Sequence, residues 1–289
     1  MLIKIGIDPV LVTIGGLKIH WYGIMIALGL YAGIQVALAD SPRRGINRDQ
    51  LMNVALLAAI LGIAGGRIYY VVQNNPSFYL HHPIEIIAVW NGGMAFYGAI
   101  FGGALALIIS AWRWRIPLWS LLDVGALGMT IGQAIGRVGN IINGDIVGYK
   151  TNGWGFMYTN PHTFGPLDTP VQPANLYELL ISLALFLILW NLRKRIHPEG
   201  MLAMIYVVLY SISQFFIFFV RANDIVLGGL KQAQVTAIVV IILTLPIIAY
   251  LLRTDRLAGR RSGEVAPSRA DVADSRQAAR GQPAATPPD

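Results

Sequence analysis

Residues 136–148 read Gly-Arg-Val-Gly-Asn-Ile-Ile-Asn-Gly-Asp-Ile-Val-Gly. An arginine, two asparagines, an aspartate and four glycines thus stand together in an otherwise oily chain. Arg137 and Asn140 are three apart and share a face if the stretch is helical. A guanidinium is a fixed charge with a planar fork of donors, and the chemistry it suits is gripping a phosphate. Asn140 and Asn143 would hold ligand oxygens or orient Arg137. Asp145 would pair with an arginine or position a hydroxyl. Glycines 136 and 139 would let a bulky headgroup approach the backbone. A second arginine, Arg67, lies in Gly-Gly-Arg-Ile-Tyr-Tyr, inside an apolar run where a charge is costly and functional by default. The competing reading of the same residues is a glycine-rich helix end whose arginine snorkels to an interface.

The elements that must position these groups are membrane spans. The 289 residues are 55% hydrophobic and 13% charged, with a mean hydropathy of +0.56. A soluble domain carries about 25% charged residues. A hydrocarbon core about 30 Å thick needs roughly 20 apolar residues in a helix. Such segments lie near 21–39, 50–72, 93–112, 118–136, 174–191, 201–220 and 234–252, the last interrupted by Pro246. The expected fold is an all-α integral membrane protein of about seven transmembrane helices. Gly29 and Gly33, Gly62 and Gly66, Gly98 and Gly102, and Gly128, Gly132 and Gly136 are spaced by four. That spacing lets helix backbones approach closely in lipid.

The net charge is +7, and its placement carries topology. Arg43, Arg44, Arg48, Arg113, Arg115, Arg193, Lys194, Arg195, Arg253, Arg256, Arg260 and Arg261 fall on one side. Lys4, Lys18, Arg137, Lys150, Arg221 and Lys231 fall on the other. The bias puts the N-terminus outside and the C-terminus in the cytoplasm. The charges form no stripe with interleaved aromatics, so no nucleic-acid partner is expected. The membrane domain is read as 1–254, with a folded outer loop over 137–173 rich in Gly, Pro, Asn and aromatics. Residues 255–289 are read as a disordered cytoplasmic tail. The N-terminus has an Asp-Pro break and no basic head before an unbroken apolar run, so no cleavable signal is expected.

There is no cysteine, which excludes disulfides, thiolate metal sites and a cysteinyl-enzyme intermediate. The five histidines lack ligand spacing with acids, so no metal is expected. No glycine-rich nucleotide loop is present either, so no cofactor is expected.

The 136–148 stretch resembles the signature of the prolipoprotein diacylglyceryl transferases, Gly-Arg-x-Gly-Asn-aromatic-x-Asn-x-Glu-x-x-Gly. Gly136, Arg137, Gly139, Asn140, Asn143 and Gly148 match. Ile141 replaces the aromatic residue. Asp145 replaces the glutamate, keeping the charge but shortening the reach by one methylene. Ile-His-Trp-Tyr-Gly at 19–23 is similar to the family's first-helix motif and puts Tyr22 on its functional tyrosine. Gly-Gly-Arg-Ile-Tyr-Tyr puts Arg67 on a family arginine. Gly-Gly-Met-Ala-Phe-Tyr-Gly-Ala-Ile-Phe-Gly-Gly, Gln-Pro-Ala-Asn-Leu-Tyr-Glu at 172–178 and the stretch 218–234 match further family regions in the same order.

The resemblance implies an enzyme of the bacterial inner membrane acting in lipoprotein maturation. Its substrates would be phosphatidylglycerol and prolipoprotein signal peptides with a lipobox cysteine. The diacylglyceryl group would pass to the cysteine thiol and glycerol 1-phosphate would leave. Arg137, Tyr22 and Asn140 would be catalytic. Asn143, Asp145, Gly148, Arg67, Tyr97 and Arg221 would join Arg137 and Asn140 in binding the lipid. Three positions depart from the family pattern: Tyr97 stands for a histidine, and Gln214 and Phe218 for an arginine and a glutamate. With no histidine there, the arginine field would lower the thiol pKa, and a tyrosine hydroxyl would relay the proton. The alternative is a homologue that binds or transports lipid with little transferase activity. No internal repeat of the kind found in duplicated transporters supports it.

Overall fold

A computed structural model describes residues 1–89 and 92–263 of the chain. All seven apolar segments are helical: α1 (Trp21–Asp40), α2 (Arg48–Gln73), α5 (Phe96–Trp114), α6 (Leu118–Asn143), α7 (Ala174–Leu192), α8 (Met201–Ile217) and α9 (Gln232–Gly263). Two short helices, α3 (Pro76–His81) and α4 (Ile84–Ile87), lie between α2 and α5. Among the described residues, five helices are long and apolar enough to cross a bilayer: Trp21–Arg44, Arg48–Gln73, Leu118–Asn143, Ala174–Leu192 and Gln232–Asp255. Met201–Ile217 is a shorter apolar helix. The molecule is therefore a mostly helical membrane protein.

Local chemistry sets the helix ends. Asn47 and Gln50 form a reciprocal capping box that starts α2, with Gln50 N donating to Asn47 Oδ1 at 2.8 Å and Asn47 N to Gln50 Oε1 at 3.2 Å. Gly144 ends α6 in the left-handed region at φ 75°. Pro246 does not break α9, which runs through it.

The glycine spacing does what lipid packing requires. A Cβ on Gly29 would stand 2.8 Å from the Gly132 carbonyl oxygen, and one on Gly33 the same distance from that of Gly128. Backbones of α1 and α6 therefore touch over two turns. Gly65, Gly98 and Gly102 bring α2 and α5 together in the same way.

Beside the helices, which fit the expected all-α class, the described residues carry three short two-stranded sheets, formed by β1 (Leu2–Ile5) with β4 (Gly155–Tyr158), β2 (Val10–Ile14) with β3 (Leu17–His20), and β5 (Ile225–Leu227) with β6 (Leu230–Lys231). Two expected boundaries need correction. The outer loop begins at Gly144 rather than at 137, because α6 continues through the polar stretch to Asn143. The last helix continues beyond the expected boundary at 254. The rest of the expected tail, from 264 onward, lies outside the described residues.

The segment 144–173 is ordered by the N-terminus. β1 pairs with β4 in parallel, Leu2 opposite Gly155 and Ile5 opposite Tyr158. Ile5, Phe156, Tyr158 and Val171 form a small buried core with Ile141, Val147 and Leu176 packed against it. Tyr158 is fully buried, donates to the Ile141 carbonyl at 3.1 Å and accepts from Asn175 Nδ2 at 3.1 Å. Its phenol is pushed up to about 12, chiefly by burial. The cap is thus locked to the last turn of α6 and the first turn of α7.

The opposite end of the bundle is held by charge. Asp40 at the end of α1 and Asp123 near the start of α6 are buried. Arg44 joins them, with Nε 3.0 Å from Asp40 and Nη1 2.6 Å from Asp123. Asp123 also accepts from Gly200 N at 2.8 Å and Ala203 N at 2.7 Å, capping α8. These acids satisfy orphan donors and cations together, which is what makes such burial tolerable.

Candidate active site

Arg137 lies two turns before the end of α6, and its guanidinium reaches Asn140 and Glu178. Nη1 donates to Asn140 Oδ1 at 3.2 Å, and Nη2 stands 2.5 Å from Glu178 Oε2. The other oxygen of Glu178 accepts from Arg221 Nη1 at 3.1 Å. One carboxylate, 2% exposed, therefore bridges two arginines from different parts of the chain. Among the described residues Arg221 Nε is buried without a hydrogen-bond partner. A buried donor on a cation is suited to an anionic oxygen. Tyr210 of α8 lies against Arg137.

Asn140 connects this pair to Asp145. Its Nδ2 donates to both Asp145 oxygens at 3.1 Å, while its carbonyl accepts from Asn175 Nδ2 at 3.4 Å. The expectation that Asp145 would pair with an arginine is not met: among the described residues no ion pair joins them, and Glu178 holds both arginines. The shared face of Arg137 and Asn140 is as expected, because the helix extends that far.

Tyr22, in the first turn of α1, packs on Gly139. A Cβ there would stand 3.1 Å from Tyr22 Cα and 3.1 Å from Met25 Cβ. Gly136 faces Ile26. These glycines thus admit helix α1 rather than a headgroup, a second correction. The fit brings Tyr22 within electrostatic reach of Asp145 and Arg137. Tyr22 and Asn143 also line a cleft of about 520 Å³ with Ile19, Ile24, Lys18 and Phe164. The Asn143 carbonyl accepts from Thr163 Oγ1 at 2.9 Å and Phe164 N at 3.0 Å, tying the cap to the cleft wall.

Gly148 serves packing. A Cβ there would meet Gln172 Cβ at 2.8 Å and the Val220 oxygen at 2.9 Å. Gly148 and Arg221 form an antiparallel bridge, and Tyr149 N donates to the Val220 carbonyl at 3.0 Å. The motif's last glycine therefore fixes the backbone of the second arginine. Phe218, at the departure from the family glutamate, places its ring 4.4 Å from the Arg221 guanidinium carbon. Gln214, at the departure from the family arginine, accepts Phe218 N through its carbonyl.

Arg67 does other work than expected. It is 5% exposed, and its donors go to backbone carbonyls: Nε to Ile86 at 2.9 Å, Nη1 to Gly92 at 2.5 Å and Gly93 at 2.8 Å, and Nη2 to Glu85. It ties α2 to the Glu85 and Ile86 carbonyls of α4 and to those of Gly92 and Gly93 just before α5. Tyr97 follows in the first turn of α5, 39% exposed, on the helix that packs against α2.

Sequence reasoning missed Glu178 as a site residue. The available signal was its acidity at the head of an apolar segment, where an ionisable group needs a partner. Its partners, distant along the chain, could not be read off.

The sequence profile described as "Prolipoprotein diacylglyceryl transferase" matches residues 9–250. Three relatives carry the name phosphatidylglycerol–prolipoprotein diacylglyceryl transferase. The one from Streptococcus agalactiae serotype Ia is 34% identical over 87% of this chain and 99% of its own length. That from Clostridioides difficile strain 630 is 37% identical over 81% and 92%. That from Trichormus variabilis is 38% identical over 84% and 89%. Matches of this extent, containing every residue of the arginine–glutamate site, make the chain a member of the prolipoprotein diacylglyceryl transferase family.

Proposed function

We propose that this chain transfers the diacylglyceryl group of phosphatidylglycerol to the thiol of a lipobox cysteine in a prolipoprotein, releasing glycerol 1-phosphate. The observation that carries the reading is the Arg137–Glu178–Arg221 bridge with its orphan Arg221 donor, next to a cleft walled by Tyr22 and Asn143. We place it in the bacterial inner membrane with seven spans, N-terminus outside. That orientation rests on the basic-residue bias. It puts the site, at the starts of α1 and α7 and the ends of α6 and α8, on the outer face, where a signal-peptide cysteine emerges.

The reaction is displacement at an sp³ carbon. Sulfur bonds the glyceryl carbon of the diacylglyceryl group as that carbon's bond to the phosphate oxygen breaks. The electron pair leaves with glycerol 1-phosphate, so negative charge grows on the phosphate. Arg137 and Arg221, aimed at one volume by Glu178, stabilise that charge where it develops. Asn140 and Asp145 orient the glycerol headgroup, and Tyr22 packs beside it. The cationic field lowers the thiol pKa, and Tyr97 relays the thiol proton to the departing phosphate.

The test is complementation of a bacterium depleted of its own transferase. The wild-type chain restores growth and lipoprotein processing, and Arg137→Ala does not. Growth with the alanine variant removes Arg137 from the mechanism. No growth with a well-expressed wild-type chain rejects the reading and points to lipid binding or transport.

A further inference from the structure

Lys231 has no part in the chemistry above, yet it is 5% exposed. Its Nζ donates to the Phe218 carbonyl and to the Arg221 carbonyl, both at 2.5 Å. The Tyr149 ring centroid lies 4.6 Å from the same nitrogen. Among the described residues no carboxylate pairs with it. A buried ammonium without a counter-ion is costly and needs dipoles to hold it. Here the dipoles are carbonyls just past the C-terminus of α8, where the helix macrodipole favours a cation.

The position of those carbonyls matters. α8 ends at Ile217, the chain turns through Phe218–Val220, and Arg221 must then reach back to Glu178. Lys231 ties the start of that turn to its end. Gln234, 2% exposed, fixes Lys231 in turn: its Oε1 accepts Lys231 N at 2.9 Å and its Nε2 donates to the Phe215 carbonyl at 3.1 Å. A continuous path therefore runs from Gln234 through Lys231 to the Arg221 backbone, and on through Glu178 to Arg137.

We propose that Lys231 is a positioning residue for the phosphate-binding pair: its buried ammonium sets the turn from which the Arg221 guanidinium enters the site. The proposal rests on the transferase reading for its activity readout. It also makes the site more cationic: Arg137, Arg221 and the nearby Lys231 outnumber the two acids, Glu178 and Asp145. An anionic headgroup is the ligand class that such a surplus selects.

The test uses the full chain in bilayer discs of phosphatidylcholine with graded phosphatidylglycerol, and a lipobox cysteine peptide as acceptor. Lys231→Met is expected to raise KM for phosphatidylglycerol by about tenfold while kcat falls by less than about threefold. Lys231→Arg, which restores a cationic donor, recovers most of the loss. In an Arg221→Ala background, Lys231→Met adds little, because the element it positions is gone. An unchanged KM for Lys231→Met, or full additivity with Arg221→Ala, overturns the proposal. If Lys231→Met does not fold, Gln234→Leu, which loosens Lys231 without removing it, gives the same KM shift in smaller measure; an unchanged KM there overturns the proposal equally. If the wild-type chain moves no lipid onto the peptide, the transferase reading fails on its own. Phosphatidylglycerol affinity, measured by native mass spectrometry, then decides on Lys231: weaker binding by the Met variant supports it, and equal binding overturns it.

Discussion

Replacing Glu178 by glutamine removes one charge and leaves two arginines facing each other. The guanidiniums touch opposite oxygens of one carboxyl, at 2.5 Å and 3.1 Å, with side chains only 17% exposed. Their charge centres then lie on the order of 7 Å apart, where two like charges repel by about 2.4 kcal/mol at an effective dielectric of about 20. Each lost attraction to the carboxylate is larger, and removing one partner of a buried pair typically costs about 3–5 kcal/mol. Allowing for partial solvent access, about 2–4 kcal/mol of transition-state stabilisation is lost, which is about 30- to 1000-fold in kcat/KM. The loss falls mainly on kcat, because the two cations still attract an anionic lipid but no longer converge. Glu178→Asp, which keeps the charge, loses less. The assay is initial-rate transfer of labelled lipid to a lipobox peptide, with folding checked by thermal unfolding. Folded Glu178→Gln with wild-type kcat/KM would refute the idea that one carboxylate aims both arginines.

Four further outcomes follow from the same geometry. Asn140→Ala breaks the bonds to Arg137 and Asp145 and is expected to lower kcat/KM by about 10- to 100-fold, while Asn140→Asp, which sets an acid beside Asp145, loses more; initial rates distinguish them. Tyr158→Phe removes the hydroxyl's bonds to the Ile141 carbonyl and to the fully buried Asn175, whose Nδ2 keeps only its longer bond to the Asn140 carbonyl, and should destabilise the cap by about 1–3 kcal/mol in thermal or denaturant unfolding. Because the folded pKa of Tyr158 is raised to about 12, its contribution is intact below the ordinary phenol pKa and is lost as pH rises through 10–12; a pH series of unfolding midpoints should show a larger loss over that range in wild type than in Tyr158→Phe. Gly29→Val pushes a side chain into the Gly132 carbonyl and should sharply reduce folded, membrane-inserted protein, whereas Gly23→Ala, which meets open space, should not. If Tyr97→Phe transfers lipid at the wild-type rate, the proton relay is wrong.

What could be read from the sequence follows the length scale of each signal. The apolar segments are long, and their helices begin within about three residues of where hydropathy placed them, though α6 and α9 run on past their expected ends. The end of α6 was not legible because Arg137, Asn140 and Asn143 have the composition of a loop; in the fold they are buried and half-buried polar groups of a helix whose glycines pack on Tyr22 and Ile26. Strands β1 and β4 left no trace, since four residues carry no periodicity and their parallel pairing joins the two ends of a long chain segment. Arg137, Asn140 and Tyr22 were legible as site residues from the motif. Arg67 was legible as a costly intramembrane charge, but its partners are carbonyls in a connection that no residue type announces. Glu178 and Lys231 were not legible as a linked pair around Arg221, because their roles exist only once three distant segments meet.

The most direct measurement is intact-mass analysis of a lipobox cysteine peptide incubated with the purified chain in phosphatidylglycerol bilayers. The account predicts a peptide heavier by one diacylglyceryl group, linked through a hydroxylamine-resistant thioether, with glycerol 1-phosphate released one for one and neither product formed by Arg137→Ala. An unmodified peptide in the presence of folded wild-type protein and bound phosphatidylglycerol would contradict it.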